Sequence, residues 1–111
     1  MPLEIVSSVQ EKTARLALSG ELDSNSAPAV RAAVESVLAG SPESLVLQVE
    51  KLTFMASAGL RILIFAKQKQ PSLKIYLVRP QEVVVETLKK TGFYDAVYVT
   101  DTEVIPEVKA S

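Results

Sequence analysis

The segment Ser44-Leu45-Val46-Leu47-Gln48-Val49 constrains the fold more than any other part of the chain. It is nearly all apolar and rich in β-branched residues, so it reads as a central strand covered on both faces, the habit of parallel strands in α/β proteins. Helical spacing flanks it on both sides. Before it, Val30, Ala33, Val34, Val37 and Leu38 recur at i, i+3, i+4, i+7 and i+8 and form one apolar face. Ser24, Asn25 and Ser26 offer N-cap oxygens there, and Pro28 suits the first turn, where its missing N–H does no harm. Gly40 is expected to end that helix in a left-handed conformation, and Pro42 stops it from continuing. After it, a second helix is expected from about Ser57 to Lys69, with Leu60, Leu63, Ile64 and Lys67 on one stripe and Pro71 closing it.

The remaining segments extend the same alternation. Leu3 to Val9 reads as a first strand and Gln10-Glu11-Lys12 as a polar turn. Ala14 to Leu18 alternates with period two and pairs with the first strand as a hairpin. Gly20-Glu21-Leu22-Asp23 then leaves the strand. Leu73 to Val78 is a further buried strand. Pro80 opens a third helix carrying Val84, Val85 and Leu88, which Gly92 terminates. Ala96 to Val99 is a short last strand, and the tail from Asp101 to Ser111 reads as a frayed end. The order β-β-α-β-α-β-α-β requires crossovers between mainly parallel strands, and the antiparallel first strand makes the sheet mixed. A chain of 111 residues suffices for one domain over residues 1–111.

Composition removes most function classes. There is no cysteine and no histidine, which excludes disulfides, thiolate nucleophiles, Cys/His metal sites and histidine acid–base chemistry. Glu82 and Glu86 lie four apart on one helix and read as a solvated face, so no converging acids point to an enzyme. Twelve basic and 13 acidic side chains give a net charge of −1, without the clustered positive excess that nucleic-acid binding requires. None of the four glycines builds a phosphate loop, and no cofactor is expected. No apolar run approaches a membrane span and the first residues lack a signal peptide's pattern, so a cytoplasmic location is the default expectation.

The segment Phe54-Met55-Ala56-Ser57-Ala58-Gly59-Leu60-Arg61 joins a buried strand to an amphipathic helix. In a parallel sheet this is the carboxyl end of the strands, where ligands and partners bind. Ala56, Ala58 and Gly59 are small enough to let another molecule approach, and Ser57 carries the one reactive group of the turn. From the residues alone two readings of Ser57 stay open, a helix N-cap and an exposed group on a contact surface. Asp23, followed by Ser24, is likewise open between a turn starter and a partner-contacting carboxylate at the same end. Arg61 and Lys67 are candidates to meet an acidic partner.

Leu18-Ser19-Gly20-Glu21-Leu22-Asp23, then Leu45-Val46-Leu47, then Phe54 to Arg61 resemble, in order and separation, the landmarks of STAS domains, the family of anti-sigma-factor antagonists. The resemblance spans essentially the whole chain. It implies a mixed, mostly parallel sheet of about four to five strands with three to four helices mainly on one face, an arrangement of packed layers. It also implies a non-enzymatic regulator that binds a serine-kinase anti-sigma factor and so frees a sigma factor. The kinase then phosphorylates a serine at the start of the second helix, and a PP2C-type phosphatase reverses the step. The best-known antagonists read Asp-Ser-Ser-Gly-Leu where this chain reads Ala56-Ser57-Ala58-Gly59-Leu60. The usual acceptor position is thus Ala58 and the usual Asp is Ala56. Relatives with Ser-Ser-Ala-Gly-Leu-Arg place their last serine at Ser57, which makes Ser57 the candidate acceptor. Asp23, Ser24, Ala56, Ser57, Ala58, Gly59 and Arg61 are the candidate partner-binding residues. The alternative is an unphosphorylated scaffold, or a module that senses a nucleotide or other small ligand.

Overall fold

The computed structural model describes residues 3–101. Five strands and three helices follow in the expected order: β1 (Glu4–Gln10), β2 (Thr13–Leu22), α1 (Ala27–Leu38), β3 (Ser44–Met55), α2 (Ser57–Lys69), β4 (Lys74–Val78), α3 (Glu82–Thr91) and β5 (Tyr98–Thr100), with a 3-10 turn at Tyr94–Ala96 before the last strand. The sheet order is β1-β2-β3-β4-β5. β1 runs antiparallel to β2 and every other pair is parallel. Three crossovers step the same way across the sheet, and right-handed crossovers of that kind put all their helices on one face.

Burial follows from this layout. Leu16, Leu18 and Leu22 of β2, Leu45, Leu47, Val49, Leu52 and Met55 of β3, and Ile75 and Leu77 of β4 share one core with Val30, Val34, Leu60, Leu63, Val84 and Leu88 of the helices. Burying each large aliphatic side chain contributes roughly 1.5–3 kcal/mol, so this one-sided core is the main source of stability. On the other sheet face, among the described residues, Val46, Tyr76 and Val78 form a small second cluster, with Tyr98 stacked on Tyr76 at 5.1 Å between ring centroids. The expectation that β3 is covered on both faces is therefore met by helices on one side and by neighbouring side chains on the other.

Several boundaries differ from the sequence reading. β2 continues through Gly20-Glu21-Leu22, and β3 runs on from Val49 to Met55. Both extensions carry irregular register, with shifts between Ala17 and Ser19 and between Gly20 and Glu21. Gly20 takes φ 109°, a bulge conformation that suits glycine, and Thr53 Oγ1 donates to the Gly20 carbonyl across it at 3.1 Å. The extra residues lie on β3 and break its period-two burial there, whereas β2 keeps alternate burial through Leu22 and reads as loop because Gly20 and Glu21 are poor strand formers. Gly40 is not left-handed. Ser41, with φ 53°, makes the reversal after α1, whereas Gly92 does cap α3 with φ 79°. On α2 the buried face is Gly59, Leu60, Ile62, Leu63 and Ala66, and Ile64 stands 36% exposed, so the expected stripe is rotated. Lys67 is drawn to the helix end, where its Nζ donates to the carbonyls of Pro71 and Leu73. β5 begins at Tyr98 rather than Ala96. The tail beyond Asp101 lies outside the described residues.

Candidate functional site

The long extensions of β2 and β3 bring two turns together. Leu22 is paired with Met55, so Asp23 and Ala56 leave neighbouring parallel strands at the same end of the sheet. The Ala56 N–H donates to the Leu22 carbonyl at 2.8 Å and ties the start of the second turn to the end of β2. Asp23 and Ser57 therefore share one end of the molecule, the carboxyl end of the parallel strands.

The turn before α1 is densely bonded. Asp23 Oδ1 accepts the N–H groups of Asn25 and Ser26, each at 3.0 Å, and lies 3.2 Å from Ser26 Oγ. In return Ser26 Oγ accepts the Asp23 N–H at 3.0 Å and donates to the Glu21 carbonyl at 2.9 Å. This is a reciprocal cap, with aspartate and serine satisfying each other's backbone groups. Ser26 takes the N-cap position of α1, but its side chain makes no capping bond to the helix. The first N–H groups of α1 are met instead by backbone carbonyls, Ala27 donating to Asp23 and Ala29 and Val30 to Ser26, so the side-chain cap expected of Ser24, Asn25 or Ser26 is not made. The Ser26 N–H is the main group holding the Asp23 carboxyl below its ordinary value; desolvation opposes it, and the Ser26 hydroxyl and the Asn25 N–H lower it further. Ser24 is exposed beside it.

The turn before α2 is bare by comparison. Ala56 holds the N-cap position in extended geometry, φ −80° and ψ 171°, with no side-chain cap. Ser57 is the first helical residue, so the N-cap reading of Ser57 does not hold. Its side chain is exposed, and among the described residues its hydroxyl makes no hydrogen bond. The first free N–H groups of α2 surround it and favour negative charge there.

Below this surface, Gly59 serves packing. A Cβ at this position would stand 2.7 Å from Leu22 Cδ2 and 2.8 Å from Met55 Cγ. Its small size seats the first turn of α2 on the ends of β2 and β3, and it is buried. Ala58 is half-buried and faces a groove of about 490 Å³ between α1 and α2, lined by Ser24, Ala27, Pro28, Arg31, Ala58, Arg61 and Ile62. Arg61 is exposed on its wall. Arg31 lies over the Phe65 ring at 4.2 Å and 3.9 Å from Glu35.

Two features of this end were missed in the sequence. Phe54, 42% exposed, pairs with Glu21 across the bulged strands, beside the Ser57 turn. The apolar run that marks β3 in the sequence ends at Val49, which leaves Phe54 outside the expected strand. Arg31 and Pro28 border the groove from α1, and nothing in a single helix pattern shows which groove its outer face borders. Among the described residues no cluster of acids is placed to hold a metal ion, and no helix is long and apolar enough to cross a membrane.

The STAS domain family model matches residues 4–109 of this chain. No curated protein matches it by sequence. Solved structures share its fold, three of them as follows. An anti-sigma factor antagonist from Mycobacterium paratuberculosis is 23% identical over 92% of this chain and 88% of its own, with a TM-score of 0.77. The anti-sigma factor antagonist SpoIIAA in its unphosphorylated form is 20% identical over 99% of this chain and 98% of its own, at a TM-score of 0.79. The Bacillus cell fate determinant SpoIIAA in the phosphorylated form is 18% identical over 99% of this chain and 100% of its own, at 0.71. At these identities the likeness is one of fold. The family match covers nearly the whole chain and agrees with the mixed five-stranded sheet and its one-sided helices, and on that basis the chain belongs to the STAS domain family.

Proposed function

We propose that this protein is a partner-switching regulator of the anti-sigma-factor-antagonist type, controlled by phosphorylation of Ser57. Its partner is a serine-kinase anti-sigma factor, and a PP2C-type phosphatase restores the unmodified form. The observation that carries this reading is the Ser57 hydroxyl: exposed, unbonded among the described residues, and at the first position of α2 beside the Asp23 turn. Phosphorylation there adds about −1.5 to −2 charges at pH 7. The helix start tolerates that charge, so the fold persists. A partner packed on Phe54, Ala56 and Ala58 has to strip water from the phosphate, which is unfavourable enough to release it. The existence of a phosphorylated form of SpoIIAA, a protein of the same fold, supports the same logic.

Incubation with the cognate kinase and ATP, followed by mass spectrometric mapping, tests the assignment. Phosphate on Ser57, lost in Ser57→Ala, is the expected result. An unmodified Ser57 under an active kinase overturns the switch.

One observation favours a second reading. Ala56 and Ala58 leave the turn without the carboxylate and second hydroxyl of the best-known antagonists, and Oδ1 of nearby Asp23 is engaged in its own turn. A scaffold with constitutive binding fits that arrangement. Under this reading Ser57→Asp leaves partner affinity nearly unchanged, whereas under the switch it abolishes binding in a folded protein.

A further inference from the structure

The two edges of the sheet are protected very differently. β5 is only 3 residues long, which limits what can pair with it. β1 runs for 7 residues, Glu4–Gln10, and among the described residues has β2 on one side and no strand on the other. Natural edge strands are blunted by lysine, proline, bulges or an inward charge. Between Leu3 and Gln10 this edge has no lysine and no proline, and its register with β2 is unbroken from Glu4 to Gln10. Its single charge, Glu4, sits at one end. Val6 is 67% and Val9 53% exposed, the first being the most exposed large hydrophobic residue among those described, and the side chains from Ile5 to Gln10 are all uncharged.

We propose that two copies of this chain associate by antiparallel pairing of β1 with β1, centred on Ser7. Full overlap of the strand with its own copy dictates the register. Glu4 lies opposite Gln10, Ile5 opposite Val9, Val6 opposite Ser8, and Ser7 opposite itself. Glu4 then meets a neutral amide instead of a second Glu4, so the pairing carries no like-charge contact. Ile5 and Val9 are paired with Leu18 and Ala14, two core residues, and therefore point to the helix-bearing face. Setting Ile5 against Val9 of the second copy makes two symmetric apolar cross-strand contacts that extend that core side. Odd-numbered residues meet odd-numbered residues, so both copies keep their helices on the same side of one continuous sheet. The two-fold axis reverses strand direction, and the two Ser57 ends point in opposite directions. Both stay open to a partner, and the association is independent of phosphorylation.

The absence of native cysteine makes a direct test simple. In Ser7→Cys the two new thiols face each other across the symmetry axis, at a separation an antiparallel pair can bridge. Mild oxidation is expected to give a covalent dimer through Cys at position 7, much faster than for Ser72→Cys in the exposed turn after α2. In sedimentation, the wild-type chain is expected to show concentration-dependent dimerisation, weakened about tenfold or more by Val6→Lys, a charge of the kind that protects natural edges. Circular dichroism confirms that each variant is folded. Equal cross-linking rates for the two cysteine variants, a strictly monomeric wild type at high concentration, or a dimer indifferent to Val6→Lys would each overturn the proposal.

Discussion

The two turns at the carboxyl end of the sheet solve the same problem in opposite ways. Each must carry the chain from a parallel strand into a helix. The turn from Asp23 to Ser26 does so with polar side chains that close a ring of hydrogen bonds on the backbone. The turn from Ala56 to Gly59 does so with almost no side chain at all. It is held from beneath, by the Ala56 N–H on Leu22 and by Gly59 against Leu22 and Met55, and is left open above. The first turn spends its polar groups on structure. The second leaves a hydroxyl unspent, and that difference separates a positioning element from a surface that chemistry can reach.

Substitutions that break this contrast have ordered effects. The largest is expected for Gly59→Val, which forces a branched side chain into space occupied by Leu22 and Met55. Overpacking of this kind costs about 3 kcal/mol, to be read as a lower urea midpoint. Ser26→Ala removes the hydroxyl that serves both the Asp23 N–H and the Glu21 carbonyl, and should cost about 1.5 kcal/mol in the same assay. Ala56→Asp imports the first turn's solution into the second. It places an acceptor at an uncapped N-cap of extended geometry and should stabilise the fold by about 1 kcal/mol. Ser57→Ala touches no hydrogen bond and should stay within about 0.5 kcal/mol of the wild type.

The pH dependence of stability sharpens the same comparison. Asp23 has its carboxyl pKa lowered in the folded state from an ordinary value of 3.8, chiefly by the Ser26 N–H. The unfolded chain takes up its proton first as pH falls. The contribution is therefore fully present above the unfolded value and disappears as pH drops through the lower folded one. Asp23→Asn should flatten the acid limb of the stability curve, while Ser57→Ala should leave that limb unchanged. Thermal melts from neutral pH to below pH 3.8 check both.

Much of this was readable from residue order. The apolar run from Leu45 to Val49 and the helical spacing of Val30, Val34, Val37 and Leu38 demanded buried parallel strands with covering helices, and α2 begins and ends where Ser57 and Lys69 placed it. Two things were not readable. Extra residues in β3 opposite Ala17–Ser19 and Gly20–Glu21 erase the alternation that marks that strand, and Gly20 and Glu21 mask the end of β2, so the strand ends that position the site read as loop. The direction in which a small residue faces is also invisible in sequence. Ala58 and Gly59 are neighbours of similar size, yet one borders the groove and the other fills a gap in the core.

The central claim, that the unspent hydroxyl of Ser57 is the switch, is tested most directly by installing phosphoserine at that single position and measuring affinity for the kinase that binds the unmodified protein. A fall of at least about a hundredfold, roughly 3 kcal/mol, with unchanged circular dichroism is the expected result. Undiminished affinity of the phosphorylated, folded protein would contradict it.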